Sequence, residues 1–233
     1  MALSKEEFKR KIQSELDTRH LADHPLVLAV AGGKVSRDQL ARFAGYWYQA
    51  IKEAPRFLAG IMANCPDPKV RRRLLENLLE EETELAGGSA SHPELMLRFC
   101  QVLGHDPQEI ANAAPLPESD SFWRWTLDVC LSNPYQIGVA ATGLAHEYYF
   151  PDTYRKIVRS LKENYRMSDE EMEFWLVHIE GDEGHSGTAL DIVANYATSD
   201  ELQGKVLWAL RESRRRMFEA FDAYARSCGV PVQ

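Results

Sequence analysis

Four of the expected helix starts carry a serine followed, three residues later, by Glu or Gln: Ser4/Glu7, Ser36/Gln39, Ser91/Glu94 and Ser168/Glu171. At that spacing the hydroxyl accepts from a free N–H of the first helical turn, while the Glu or Gln side chain accepts from the backbone N–H of the serine. Each pair therefore marks a helix start. Apolar residues at three-and-four spacing follow these starts and leave little room for strands, so an all-α chain is expected. The pattern predicts helices over roughly 4–19, 23–31, 36–63, 67–86, 91–103, 107–113, 119–131, 134–162, 168–197 and 199–227. Gly32-Gly33, Pro66-Asp67-Pro68, Gly87-Gly88-Ser89 and the Pro115/Pro117 segment supply the interruptions, and Pro55 should kink the third helix. With no repeat and no long linker, the 233 residues fit one domain, 1–233, packed as a compact bundle of about seven main helices.

Composition narrows the function classes. The chain is 45% apolar and 27% charged, close to the soluble average, which points to neither disorder nor a membrane protein. No apolar run nears the ~20 residues of a membrane span. The start Met1-Ala2-Leu3-Ser4-Lys5-Glu6 enters a charged helix without a signal-peptide core, so a cytoplasmic location and no membrane partner are expected. A net charge of −8 argues against nucleic acid. Arg71-Arg72-Arg73 and Arg214-Arg215-Arg216 read as solvated helix faces beside Glu. Cys65, Cys100, Cys130 and Cys228 form no C-x-x-C pair and are expected to be free, buried thiols.

Polar residues on otherwise apolar helix tracks carry the functional signal. In the 168–197 segment the track runs Trp175, His178, Asp182, His185, Ala189, Ile192, Tyr196, apolar at its ends and ligand-like in its middle. At ~100° per residue, Asp182 lies about 40° and His185 about 20° around from His178, so all three can converge on one centre. Gly181, Gly184 and Gly187 lie among them and would admit a close helix neighbour. In the 134–162 segment, Glu147 is the one charge on the track Ile137, Ala140, Leu144, Glu147, Pro151, Tyr154. In the 67–86 segment, the track Leu74, Leu78, Glu81, Leu85 leads on to His92, while the parallel track Leu75, Leu79, Glu82, Ala86 selects Glu82 instead. Any one of these alone is explained by a core histidine or a capped carboxylate. Three carboxylates and three imidazoles in one core are very costly unless divalent cations compensate them. Mixed His and carboxylate donors suit iron or manganese better than zinc, magnesium or calcium. The Glu-x-x-His motifs of familiar bundle di-iron sites do not occur here.

With these residues in view, the chain resembles the haem-oxygenase-like di-iron oxidases, the CADD/UndA-like group within the wider TenA/PqqC-like superfamily. The likeness runs from Leu40-Ala41-Arg42-Phe43-Ala44 through Ile51-Lys52-Glu53-Ala54-Pro55, Leu75-Glu76-Asn77-Leu78-Leu79-Glu80-Glu81-Glu82 and His92-Pro93-Glu94-Leu95 to Glu147 and His178-x3-Asp182-x2-His185. It implies a haem-oxygenase-like helical fold, two ferrous ions that activate O2, no haem, and the ligands Glu81, His92, Glu147, His178, Asp182 and His185. Two departures stand out. Eleven positions separate Glu81 from His92, ~16 Å along a straight helix, so Ala86-Gly87-Gly88-Ser89-Ala90 must bulge, and Glu81, Glu82 and Glu84 all compete for the role. Val27 and His146 also stand where the aminobenzoate-forming branch carries tyrosines.

The resulting expectation is a non-haem di-iron oxidase or oxygenase acting with O2 on a small carboxylate-bearing substrate, an amino acid or a fatty acid. Tyr48, Lys52 and His146 are candidates to line its pocket, with the Lys52 ammonium suited to the carboxylate. An electron donor is a further candidate partner, and the resemblance implies a homodimer. The competing readings are a metal-free TenA/PqqC-like enzyme and a helical interaction protein without catalysis.

Overall fold

The structure is a computed structural model. It describes residues 1–84 and 88–232, and of residues 180–185 the backbone alone. Every regular element among the described residues is helical. In chain order these are α1 (Lys5–Leu16), a 3-10 turn (Leu21–Asp23), α2 (Pro25–Ala31), α3 (Arg37–Ile51), α4 (Ala54–Ala63), α5 (Pro68–Glu82), α6 (His92–Val102), α7 (Pro107–Asn112), α8 (Pro117–Ser132) and α9 (Tyr135–Val139). A π-helix (Ala140–Glu147) follows, then α10 (Phe150–Glu163), α11 (Glu173–Tyr196) and α12 (Asp200–Ser227).

Two predicted helices are divided, which raises the number of segments above the seven or so expected. Proline explains both cases. Pro55 has no N–H to offer the carbonyl four residues back, that of Ile51, and α3 ends at Ile51. The chain turns at Lys52 and Glu53 and resumes as α4 with Pro55 in its first turn. Pro151 likewise has no N–H to offer the carbonyl four residues back, and the π-helix ends at Glu147. The single helix predicted over 134–162 is thus α9, a π segment and α10.

The capping boxes of Ser4, Ser36 and Ser91 form at the starts of α1, α3 and α6. Ser168 and Glu171 also exchange their two hydrogen bonds, at 2.8 and 3.3 Å, but around a turn, and α11 begins only at Glu173.

The π-helix packs between α11 and α12, the two longest helices, with α10 against α11 and α8 against α12. The four cysteines are buried and free. Trp47, Phe43, Trp175, Tyr154 and Tyr224 form a continuous buried aromatic layer, with Tyr154 edge-on to Trp175 at 4.9 Å and Trp47 edge-on to Phe150 at 5.7 Å. None of the described helices is long and apolar enough to cross a membrane.

The two arginine clusters are not uniform solvated faces. Arg215 and Arg216 do pair with Glu212 on the surface of α12. Arg214, however, is buried. Its guanidinium donates to the Glu15 carbonyl, to Thr18 Oγ1 at 3.1 Å and to the Arg19 carbonyl at 2.9 Å, satisfying carbonyls left free where α1 ends.

His24 ties α2 to α12. Its Nδ1 accepts from the Leu26 N–H at 3.1 Å as the cap of α2, and its Nε2 lies 3.0 Å from Asp222 Oδ1, which fixes the neutral tautomer as Nε2–H. Burial lowers its pKa below the ordinary 6.5, against the opposing hydrogen bond that it donates to Asp222. The folded state therefore binds fewer protons than the unfolded one across the window between 6.5 and the lowered value. Stability is fully present above that window and is lost as pH falls through it. Urea unfolding at about pH 7.5 and 5.5 should show this loss in the wild type and a smaller loss in His24→Asn, which keeps a side-chain cap without a titrating ring. The slope left over should come in part from His20, whose pKa burial also lowers.

Candidate metal centre

Three of the residues singled out from sequence meet in the core. Glu81 stands one residue before the end of α5, His92 is the first residue of α6, and His178 lies in the second turn of α11. Each offers a ligand atom within 4.8 Å of the other two, and all three side chains are buried. His92 Nδ1 is 3.2 Å from Glu81 Oε2, and the His92 and His178 rings are 4.1 Å apart between centroids. His178 Nδ1 lies 2.7 Å from the Phe174 carbonyl one turn back, which can only accept, so the ring proton sits on Nδ1 and Nε2 carries the lone pair. A metal held at ~2.0–2.2 Å from each donor spans at most ~4.4 Å, so small side-chain rotations would close the three around one ion.

The geometry separates Glu81 from its sequence competitors. Glu81 is 9% exposed, whereas Glu82 and Glu84 are exposed. What brings Glu81 to His92 is the early end of α5. Thr83 is fully extended, and both its N–H and its hydroxyl, at 3.0 and 2.5 Å, donate to the Leu79 carbonyl. The helix predicted to 86 thus ends at 82. Of the expected bulge over 86–90, positions 86 and 87 lie outside the described residues.

Glu147 closes the π-helix and lines, with Glu81 and His178, a small chamber of about 50 Å³. The wider π turn sits where a straight α-helix was expected; such turns recur at functional sites. Asp182 and His185 lie on the backbone of α11, but their side chains are outside the described residues. So are Gly181 and Gly184, and an added Cβ at Gly187 would meet nothing within 4 Å, so Gly187 is not the close approach expected there. That role falls to Gly143 of the π-helix, whose added Cβ would lie 2.8 Å from the Ala189 Cβ on α11.

Of the expected pocket residues, only His146 lines the chamber. Its Nε2 is 2.9 Å from Ser213 Oγ, whose own hydrogen goes to the Ala141 carbonyl, so Nε2–H is the donor. Enclosed by Phe122 and Trp123, the ring is held neutral, with its pKa pushed down by burial to about 3. Lys52 is turned away. It follows the end of α3, donates to the Ala111 carbonyl at 3.3 Å, and borders a separate surface recess with Glu53, Arg56 and Asp120. Tyr48 is buried beside Cys100 with the Lys52 ammonium 5.9 Å from its ring, and it does not line the chamber.

The sequence reading missed Trp47 and Phe150, which complete the chamber wall. Trp47, Ala50, Ile51 and Ala54 share one face at helical spacing, but as ordinary apolar positions they give no anomaly to notice. The indole Nε1 of Trp47 is buried and has no acceptor among the described residues. On its outer side Glu147 also borders an open groove of about 370 Å³ between α5 and α11.

A family model described as iron-containing redox enzyme matches residues 41–216. A 4-aminobenzoate synthase of Nitrosomonas europaea is 30% identical over 225 residues, covering 92% of this chain and 89% of that protein. Among solved structures, a CADD-like protein of unknown function from Nostoc punctiforme superimposes with a TM-score of 0.77 at 18% identity, covering 97% of this chain and 99% of that one. A TenA homologue from Pseudomonas syringae gives 0.77 at 15% identity, with 95% and 91% covered. These likenesses show the haem-oxygenase-like helical fold.

The Gly143 contact is testable. Gly143→Ala should destabilise the protein by about 1–3 kcal/mol through overpacking, outweighing the ~1 kcal/mol that alanine gains over glycine in a helix. Urea unfolding of the Gly143→Ala/Ala189→Gly double variant should recover part of the loss if the Ala189 methyl is the obstacle.

Proposed function

Because this chain belongs to the family of iron-containing redox enzymes, we propose that it is a non-haem di-iron oxidase or oxygenase that uses O2 on a small organic substrate bearing a carboxylate, an amino acid or a fatty acid. The observation that carries this reading is the convergence of Glu81, His92 and His178 in a buried core. The mixed nitrogen and oxygen donors fit ferrous iron. Glu147, at the junction of chamber and groove, is the ligand assigned to the second ion, with Asp182 and His185 expected beside it. Bound ferrous iron supplies the electrons that O2 needs in order to react.

The protein's own residues prepare that chemistry. The Phe174 carbonyl fixes the His178 tautomer, and the aromatic wall of Trp47, Phe150 and Trp123 excludes bulk water. The Trp47 N–H offers a donor to an oxygen atom held in the chamber. His146, neutral and committed to Ser213, shapes the wall without adding charge. A chamber of about 50 Å³ holds only a few waters or one diatomic molecule, so the organic substrate reaches the site from the groove side.

Anaerobic ferrous titration tests the assignment. The wild type should bind about two irons per chain, and Glu81→Gln and His178→Ala should each lose at least one, because each removes a ligand from a buried set. Glu82→Gln should bind as the wild type does. Fewer than one iron per wild-type chain, or loss in Glu82→Gln but not in Glu81→Gln, would sink the reading. O2 consumption that depends on added substrate, with 4-aminobenzoate among the products assayed, then separates an oxidase from an iron-binding protein.

A further inference from the structure

The groove outside Glu147 has its own recognition chemistry. At about 370 Å³ it is within the usual size range of ligand pockets, ~300–1,000 Å³, and several times larger than the inner chamber. Its floor is apolar, made by Leu58, Ile61, Leu74, Val139 and Ile192. One wall is the face of α5 that carries Arg73, Glu76, Asn77 and Glu80, and α11 contributes Asp191 opposite.

Three observations define what would bind there. First, of the arginine cluster 71–73, Arg71 is committed to the Cys65 carbonyl at 2.8 Å, while Arg73 faces the groove without an ion-pair partner among the described residues. Asp191, the carboxylate across from it, is held by Lys9 at 2.7 Å, which keeps its pKa below the usual range. Secondly, Asn77 Oδ1 is buried and has no donor among the described residues. An unsatisfied buried amide oxygen is costly, so an N–H placed against it would be favoured. Thirdly, among the described residues that line the groove Arg73 is the one cationic side chain, against the carboxylates of Glu76, Glu80, Glu147 and Asp191. A ligand carrying only a carboxylate would gain one partner and face several repulsions, whereas one that also carries an ammonium uses both signs.

Arg73 and Asn77 are four residues apart on α5 and therefore neighbours on one face, with Cβ atoms ~5–6 Å apart. That adjacency suits two charged groups borne by a single carbon. We propose that this groove binds an α-amino acid with an apolar side chain, its carboxylate on Arg73, its ammonium on Asn77 Oδ1 and the acidic wall, and its side chain on the Leu58–Ile192 floor. The inference rests on the di-iron reading for its catalytic meaning, and it selects the amino acid over the fatty acid as the substrate class.

Calorimetric titration of the wild-type protein with L-phenylalanine and L-leucine tests it, with 3-phenylpropanoate and phenethylamine as the analogues lacking one charge. At least one amino acid should bind, and each analogue should bind at least about tenfold more weakly than L-phenylalanine or not at all. Arg73→Gln should weaken amino-acid binding about tenfold and leave phenethylamine unaffected, and Asn77→Leu should weaken amino-acid and phenethylamine binding alike. Arg72→Gln, at an exposed position outside the groove, should bind as the wild type does. The proposal is overturned if neither amino acid binds at about 10 mM, if the analogues bind as tightly as L-phenylalanine, or if Arg73→Gln and Arg72→Gln behave alike. Ferrous stoichiometry of the same wild-type preparation keeps the two readings apart. Iron without amino-acid binding defeats this inference alone, and amino-acid binding without iron defeats the di-iron reading alone.

Discussion

Burying Glu81 beside His92 and His178 beneath an aromatic layer is costly, and much of the architecture surrounds that cluster. A carboxylate at 9% exposure loses most of its hydration, and two imidazoles at 9% and 5% repay little of that while neutral. A shared divalent cation would convert the penalty into binding energy, so the stability of this core and its affinity for metal are linked quantities. The Phe174 carbonyl and the edge of Tyr154 hold His178 in its orientation, which limits the reorganisation that binding would require.

Three of the six candidate ligands sit at helix ends. Glu81 is the penultimate residue of α5, His92 the first of α6 and Glu147 the last of the π-helix. Their positions therefore depend on where the helices stop, α5 at Glu82 and the π-helix at Glu147, four residues before Pro151. Ends permit a convergence that parallel straight helices would not, because a helix advances only ~1.5 Å per residue and returns to the same face each turn. Gly143 adds the close contact with α11 that sets the depth of the π turn.

Glu147 also joins two spaces of different size and polarity. The inner chamber is small and walled by aromatics, fit for a diatomic gas and little else, while the outer groove is roomy, apolar at its floor and charged at its walls. In the proposed reaction, separating the two would let one carboxylate face both the ion it is proposed to bind and the molecule to be oxidised. It also keeps bulk water away from the buried side.

Helix starts, the three-and-four tracks and the polar residues on them could be read from the sequence, because helix phase is local: one residue fixes the next at ~100°. That is why His178 and Glu147 stood out as polar exceptions on their tracks, and why the capping serines lie where their Glu and Gln partners require. The choice between Glu81 and Glu82 could not be made that way, since it turns on where α5 stops and which side meets α6. Lys52 was misplaced for the same reason, the chain turning just after Ile51, and Arg214 looked like a surface residue until the end of α1 was seen to lie against it. The composition and pattern of the chain determined an all-helical protein with a polar, ligand-rich core. Only the tertiary structure decided which carboxylate enters that core and which arginine faces the groove, because both depend on contacts between residues far apart in sequence.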